Sequence, residues 1–316
     1  MSLAFPIQST ETFVDCLLYQ CPNSNISQWV YTQNNPSYTS ILDSSIRNLR
    51  FMSPNTTKPF LVLTPSNVQE VQASIVCCKN HSLSIRVRSG GHDYEGLSYR
   101  SISGTRFVMI DLANLRDIHV DTHHRVAWVQ SGVSLGELYH NLSQKSGPLA
   151  FPSGTCPTVC VGGIFSGGGF GMLSRKYGLS VDNILDAKLV DASGTVLNRD
   201  SMGEDLFWAI RGGGGGSFGI VISWKIRLVQ VPETVSVATL NRTTKQGAIR
   251  LVEKWQYIAP NFSEDVLLKF AIQSDKSRGM PVAIFTSFYL GRCSDMLIYM
   301  QVHFPELGRE FCTKYC

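Results

Sequence analysis

The sequence is short of charge, and it has none of the runs that would commit it to a membrane or a polyanion. Asp, Glu, Lys and Arg make up only 16% of its 316 residues. No block of Lys or Arg interrupts it. A net charge of +4, from 28 basic and 24 acidic residues, describes a solvated surface and not a nucleic-acid footprint. No apolar stretch reaches the ~18 residues that a membrane-spanning helix needs. A basic n-region followed by an apolar h-region is also missing from the start. The expectation is a soluble chain whose leader, if it had one, has been removed or was never encoded here. Paired C-x-x-C units are absent and no histidines cluster near cysteines, so no metal site is expected. Internal repeats and low-complexity linkers are lacking too.

What remains is a globular composition, 43% hydrophobic and long enough for one large domain or two. Nine cysteines is a high and odd count. Asn-x-Ser/Thr sequons begin at Asn25, Asn55, Asn80, Asn141, Asn241 and Asn261. That density points to a secretory route, where an oxidising compartment lets cysteines pair.

The periodicities predict an α+β chain. "FVDCLLYQC" reads as a short helix and "PFLVLTP" as a strand. The next stretch, "SNVQEVQASIVCCKNHS", places Ser66 as an N-cap with Gln69 completing a capping box. Its apolar Val68, Val71 and Ile75 recur at helical spacing. "LSIRVRSGG" alternates as a strand and completes a βαβ unit. "RFVMIDL" and "RVAWVQSG" are further strands, and "SLGELYHNLSQKSG" is a helix capped by Ser134 with Glu137. "NILDAKLVDASGTVLNR" is a hairpin turning at Ser193–Gly194. "SMGEDLFWAIRGG" is a helix capped by Ser201 with Glu204 and ended by Gly212. "FGIVISWKIRLV" is a strand, closed off by Pro232. Beyond it "TVSVATLNR", "VLLKFAIQ" and "VAIFTSFYLGR" are β-prone, with "AIRLVEKWQYIA" helical. A mixed core and a sheet-rich end therefore meet between Val231 and Glu233.

Two stretches carry chemistry. "RSGGHDYEG" sets His92 after two glycines with a carboxylate beyond it, and "PSGTCPTVCVGG" sets Cys156 between glycines. Backbone amides in a glycine loop leaving a strand can cradle phosphate oxygens. Taken alone, Cys156 is as readily a disulfide cysteine as a reactive one. Gly214, Gly216 and Gly219 spell a formal G-x-G-x-x-G, but a helix precedes them and a strand follows, the reverse of a dinucleotide fingerprint. The same run lacks a Lys-Ser/Thr ending, which excludes a P-loop of the usual kind. It is either a tight turn or a cofactor-contacting loop.

Together, "RSGGHDYEGLSY", "PSGTCPTVCVGGIFSGGGFG", "RKYGLSVDNILDA" and "DLFWAIRGGGGGSFGIVISWK" resemble the berberine bridge enzyme-like flavoproteins of plants. The resemblance runs from about Cys16 to the "FPELG" of Phe304 to Gly308. It implies FAD bound by a PCMH (vanillyl-alcohol-oxidase) type domain. In the family the matching histidine bonds the flavin 8α-methyl and the cysteine bonds C6 through sulfur, so His92 and Cys156 are the implied attachment points. Imidazole and thiolate are the nucleophiles suited to such an electron-poor ring. The resemblance also places Arg88, Ser89, Gly90, Gly91 and His92 along the diphosphate. Gly162, Gly163, Gly167, Gly168 and Gly169 come beside the flavin and Gly219, Ile220 and Val221 near the adenine, with Asp93, Ser153 and Val159 also implied to bind the cofactor. A disulfide between Cys16 and Cys77 is implied as well. Val159 stands where a small aliphatic residue goes with oxygen access, which favours an oxidase.

The implied organisation is an N-terminal segment (1–54), a PCMH-type FAD domain (55–232) and a partial antiparallel-sheet substrate domain (233–316). The implied reaction oxidises a small alcohol, sugar or specialised metabolite with O2 as acceptor and H2O2 as product. The alternative is a flavin-binding or flavin-free remnant without turnover. A small-molecule substrate and O2 are the expected partners, nucleic acid is not, and the chain is expected to be a monomer. Secretion, the cell wall or the vacuole are the expected destinations. Ile164 and Phe170 stand where many relatives have His and Tyr, and Cys160 replaces a common Gly. Family members also continue well beyond this sequence, so the catalytic base is expected in a part not present here. An incomplete sheet exposes backbone donors and an apolar face, so incomplete folding is expected unless something covers that edge.

Overall fold

The computed structural model describes residues 10–275 and 279–308, Asp275 by its backbone alone. The outermost residues of the first and last segments therefore lie outside the described part. Helix α1 (Thr10–Gln20) buries Phe13 and Leu17. Strand β1 (Val30–Thr32) and helix α2 (Tyr38–Asp43) follow. With β2 (Leu61–Leu63), β3 (Ser84–Arg88) and β4 (Phe107–Asp111), β1 forms a sheet of order β1-β2-β4-β3. Strands β2, β4 and β3 run parallel and β1 antiparallel. Helix α3 (Val68–Asn80) carries the chain from β2 to β3, and β4 inserts between them. Every residue of β4 is buried, as expected of a central parallel strand covered on both faces. A disulfide joins Cys16 of α1 to Cys77 of α3.

The cap of α3 lies one residue later than the sequence pattern suggests. The Asn67 side chain accepts from the Glu70 amide at 3.0 Å. Ser66 instead donates its amide and hydroxyl to the Glu70 carboxylate, at 2.7 and 3.1 Å. Ser24 adds a third donor at 2.7 Å. Asn is as good a cap as Ser, and the buried Glu70 carboxylate must collect donors from its surroundings.

The second sheet is wholly antiparallel, in the order β5-β6-β10-β8-β9. Its strands are β5 (Ile118–Asp121), β6 (Val126–Gln130), β8 (Ile184–Val190), β9 (Val196–Leu197) and β10 (Ile220–Arg227). Two-residue strands β7 (Leu149–Ala150) and β11 (Val229–Gln230) pair beside it. Strand β5 escapes the sequence patterns because "IHVD" is short and half polar. Helix α4 (Leu135–Lys145) starts with the expected Ser134/Glu137 capping box, and α5 (Val161–Ser166) and α6 (Ser174–Tyr177) follow. Helix α7 (Arg199–Ala209) is capped by Asn198, with Ser201 as its partner rather than as the cap, and it bends at Gly203, whose φ is 73°. Only glycine adopts that geometry freely, so the pattern starting at Ser201 captures the second half of a kinked helix. Trp224, Phe165 and Phe207 centre the core of this sheet. Val190, Ile220 and Ile222 pack into the core of the first.

The third sheet, β12 (Ser236–Thr243), β13 (Val266–Asp275) and β14 (Met280–Tyr289), has the order β12-β14-β13. Helices α8 (Ala248–Ile258) and α9 (Cys293–His303) cover one face. Phe285, Met296 and Phe304 fill the space between. Burial alternates strictly along the first six residues of β12, the mark of a sheet packed on one face only. The junction with the second sheet is polar. Arg175 donates to the carbonyls of Pro260, Phe262 and Ser263, and Lys176 meets Asp265 at 2.5 Å. No helix among the described residues is long and apolar enough to cross a membrane.

Candidate cofactor site

A cavity of about 1280 Å³ opens between the first two sheets. Its volume exceeds the roughly 300–1,000 Å³ of ordinary small-molecule sites. One wall is the loop leaving β3, a second is the segment from Cys156 into α5, and a third is the glycine run between α7 and β10.

The glycine pair before His92 has a steric cause. Gly91 has φ +66°, and a Cβ there would stand 2.0 Å from the Ser45 carbonyl oxygen. A Cβ on Gly90 would stand 2.9 Å from the Cys160 nitrogen and 3.3 Å from the Thr158 oxygen. The tight approach is thus to the protein's own backbone on both sides, and it brings the two chemistry-bearing stretches together. Open space remains on the cavity side. Nothing lies within 4 Å of where a Cβ on Gly163 or Gly216 would be. The amides of Gly90, Gly91 and His92 donate to no acceptor among the described residues. Consecutive uncommitted N–H groups on a loop are suited to a diphosphate. These residues fit an FAD-sized dinucleotide.

His92 and Cys156 converge on one hydroxyl. His92 Nε2 lies 3.0 Å from Thr158 Oγ1, and Cys156 Sγ lies 3.6 Å from the same oxygen. His92 Nε2 and Cys156 Sγ can therefore be no further apart than those distances combined. Partial burial, helped by the positive charge of Arg47, holds the His92 pKa below its ordinary value. The imidazole is thus neutral and retains a lone pair at neutral pH. The Thr158 hydroxyl, then its N–H, pulls the Cys156 thiol down, while burial pushes Cys160 up to about 11. A neutral imidazole beside an acidified, exposed thiol is a pair of nucleophiles facing one space.

Ser89, Gly90, Gly91, His92 and Asp93 line this cavity, as do Cys156, Val159, Gly162, Gly163, Gly167, Gly169, Gly219, Ile220 and Val221. Ile164, Phe170 and Cys160 line it too. Three expected residues do not. Arg88 is fully buried, with Nε and Nη2 on Asp111 Oδ2 at 3.0 and 2.6 Å and the rest of its fork on the carbonyls of Ile41 and Leu42. It is register partner to Asp111 across adjacent parallel strands, so its charge is satisfied inside and is not offered to a diphosphate. Ser153 lines a separate cavity of about 760 Å³, with Tyr139, Phe151 and Phe288. Gly168 lines neither. Asp93 turns its carboxylate to the amide and hydroxyl of Ser98, closing its own loop.

The sequence patterns missed Thr158, Arg47 and Asp111. A Cys-Pro-Thr turn could have drawn attention to Thr158, and an Asp ending an apolar strand to Asp111. Nothing local marks Arg47. Among the sequons, Asn25, Asn55, Asn80, Asn241 and Asn261 are exposed. Asn141 is half-buried in α4, with its amide on the Glu137 carbonyl at 3.0 Å.

Comparison with known proteins agrees with an FAD site. A family profile described as an FAD binding domain matches residues 59–199. Tetrahydroberberine oxidase of Berberis wilsoniae is 48% identical over 311 residues, 97% of this chain and 58% of the relative. Berberine bridge enzyme-like 18 of Arabidopsis thaliana is 46% identical over 315 residues, covering 98% and 58%. The crystal structure of Phl p 4, a grass pollen allergen with glucose dehydrogenase activity, superposes with a TM-score of 0.89 at 45% identity, covering 95% of this chain and 60% of that one. The chain spans less than two thirds of the length of these relatives.

Proposed function

The chain belongs to the berberine bridge enzyme-like family of FAD-linked oxidoreductases, and from that premise we propose that His92 and Cys156 hold the flavin at two points, 8α and C6. The observation that carries this reading is the single Thr158 hydroxyl reached by both side chains. The two ring positions lie on one edge of the isoalloxazine, so their two attachment groups must start side by side. The free amides of Gly90 to His92 would hold the diphosphate. The chemistry such a group supplies is two-electron acceptance from a substrate C–H and return of those electrons to O2 as H2O2. Val159, half-buried on the cavity wall, leaves more room for O2 than a longer side chain would. Small alcohols, sugars and specialised metabolites are the proposed substrates, and O2 the second reactant.

The same reading places the chain in the secretory pathway, glycosylated at its exposed sequons. Asn141, already engaged in its helix, is the site least suited. A mobility shift after glycosidase treatment of the plant-made protein tests this.

The test of attachment is direct. After denaturation in acid or detergent, yellow colour and gel fluorescence should stay with the polypeptide. Replacing His92→Ala and Cys156→Ala together should release them, and pigment persisting in the double variant would overturn the assignment. Peroxide release on a panel of sugars and aromatic alcohols then separates an oxidase from a flavin-binding chain without turnover.

A further inference from the structure

We infer that Thr158 is a positioning residue for both attachment side chains, one hydroxyl fixing the His92 tautomer while orienting the Cys156 sulfur. The inference rests on the reading that these two residues carry the flavin. A threonine hydroxyl has one proton to give and lone pairs to receive. The sulfur faces Thr158 donors of two kinds, the hydroxyl and the backbone N–H. As a thiolate it has no proton to give, so it accepts from the Thr158 hydroxyl 3.6 Å away. That leaves Oγ1 as acceptor for a proton on His92 Nε2, 3.0 Å away. The Thr158 carbonyl also accepts from the ring, which supports the same tautomer, and the lone pair then sits on Nδ1. One relay, from Nε2–H to Oγ1–H to Sγ, keeps the Nδ1 lone pair free and lowers the thiol pKa together.

The fold holds this relay in place. The Thr158 carbonyl is pressed against Gly90, where even a methyl would crowd it. Flanking backbone bonds, from Leu135 to the Val159 carbonyl at 2.8 Å and from Gly136 to the Pro157 carbonyl at 3.0 Å, pin the segment to the start of α4. The Thr158 side chain itself is exposed, so replacing it disturbs little packing. The charged and titratable groups that act on the pair are Arg47 on both and Asp93 on His92.

The test compares the full chain with Thr158→Val and Thr158→Ser. In protein made under riboflavin limitation, the alkylation rate of Cys156 is followed against pH by peptide mass mapping. In flavin-replete protein, the same mapping counts singly and doubly linked flavin peptides. Thr158→Val should raise the pH midpoint of Cys156 alkylation and slow the reaction roughly tenfold near neutrality, the thiolate loss that one unit of pKa produces. Doubly linked flavin should fall severalfold in favour of singly linked. Thr158→Ser should restore both. An unchanged alkylation profile in Thr158→Val, or a serine variant that behaves like valine, overturns the inference. If the unaltered chain carries no linked flavin, the attachment reading falls, and the alkylation profiles still decide what Thr158 does.

Discussion

The loop that presents His92 and the segment that presents Cys156 meet at one oxygen atom, yet they are built by opposite means. The first leaves β3 directly after Arg88, whose guanidinium is buried on Asp111 and two backbone carbonyls. The second lies on the surface from Thr155 to Thr158 and is held by backbone bonds to the residues opening α4. One wall is anchored by charge taken out of water, and the other by ladder-like pairing that leaves its side chains wet. A buried charge pair is a poor source of net stability, but it is costly to break from one side. It therefore makes a stiff mount for a reactive group. The wet segment is free to carry a thiol whose ionisation matters.

The comparison can be broken most severely at the mount. Asp111→Ala would leave the Arg88 guanidinium buried and unpaired, and should lower unfolding free energy by about 3–5 kcal/mol, read from urea denaturation. A smaller shift would mean that water or the loop relaxes to meet the charge. Gly91→Ala comes next. It forces an L side chain to φ +66° against the Ser45 carbonyl and should cost at least about 2 kcal/mol, with loss of retained flavin colour. Alanine tolerated there would show that the loop is less fixed than its glycine pair implies.

A finer test uses pH. His92 titrates below its ordinary 6.5 because of burial and Arg47, so the unfolded chain takes up the proton first. Its contribution to stability is complete above pH 6.5 and is lost as pH falls through the folded-state value. An NMR titration of the His92 ring should give a midpoint under 6.5, and a midpoint above it would reverse the sign. The smallest effect is expected on the wet side. Cys156→Ser, at an exposed position, should leave thermal stability within about 0.5 kcal/mol of the unaltered apoprotein. A large loss would show that the segment depends on its thiol for structure.

How much of this was legible beforehand follows from what is local. The capping box of α4, the hairpin at Gly194 and the three strands after Pro232 are written in adjacent residues and are present in the fold. The one-residue error at α3 and the kink in α7 arose where two capping residues competed within a few positions. Only the packing of Glu70 and the backbone at Gly203 resolve them. Arg88 was misread for a different reason. Its motif suggested a role beside a phosphate, whereas its partner lies 23 residues away and is set by strand register. Thr158 and Arg47 acquire meaning only when two distant segments touch. His92 and Cys156 could be singled out because each sits in a long, specific motif, but the hydroxyl they share could not.

The bridge from Cys16 to Cys77 closes a stretch of 61 residues, and in the chain-entropy picture such a crosslink contributes about 4 kcal/mol. Ile75, two positions from that bridge, forms part of the cavity wall. Without that crosslink the wall should loosen: a host with a reducing cytosol should yield a looser first lobe and a paler protein, whatever flavin it supplies.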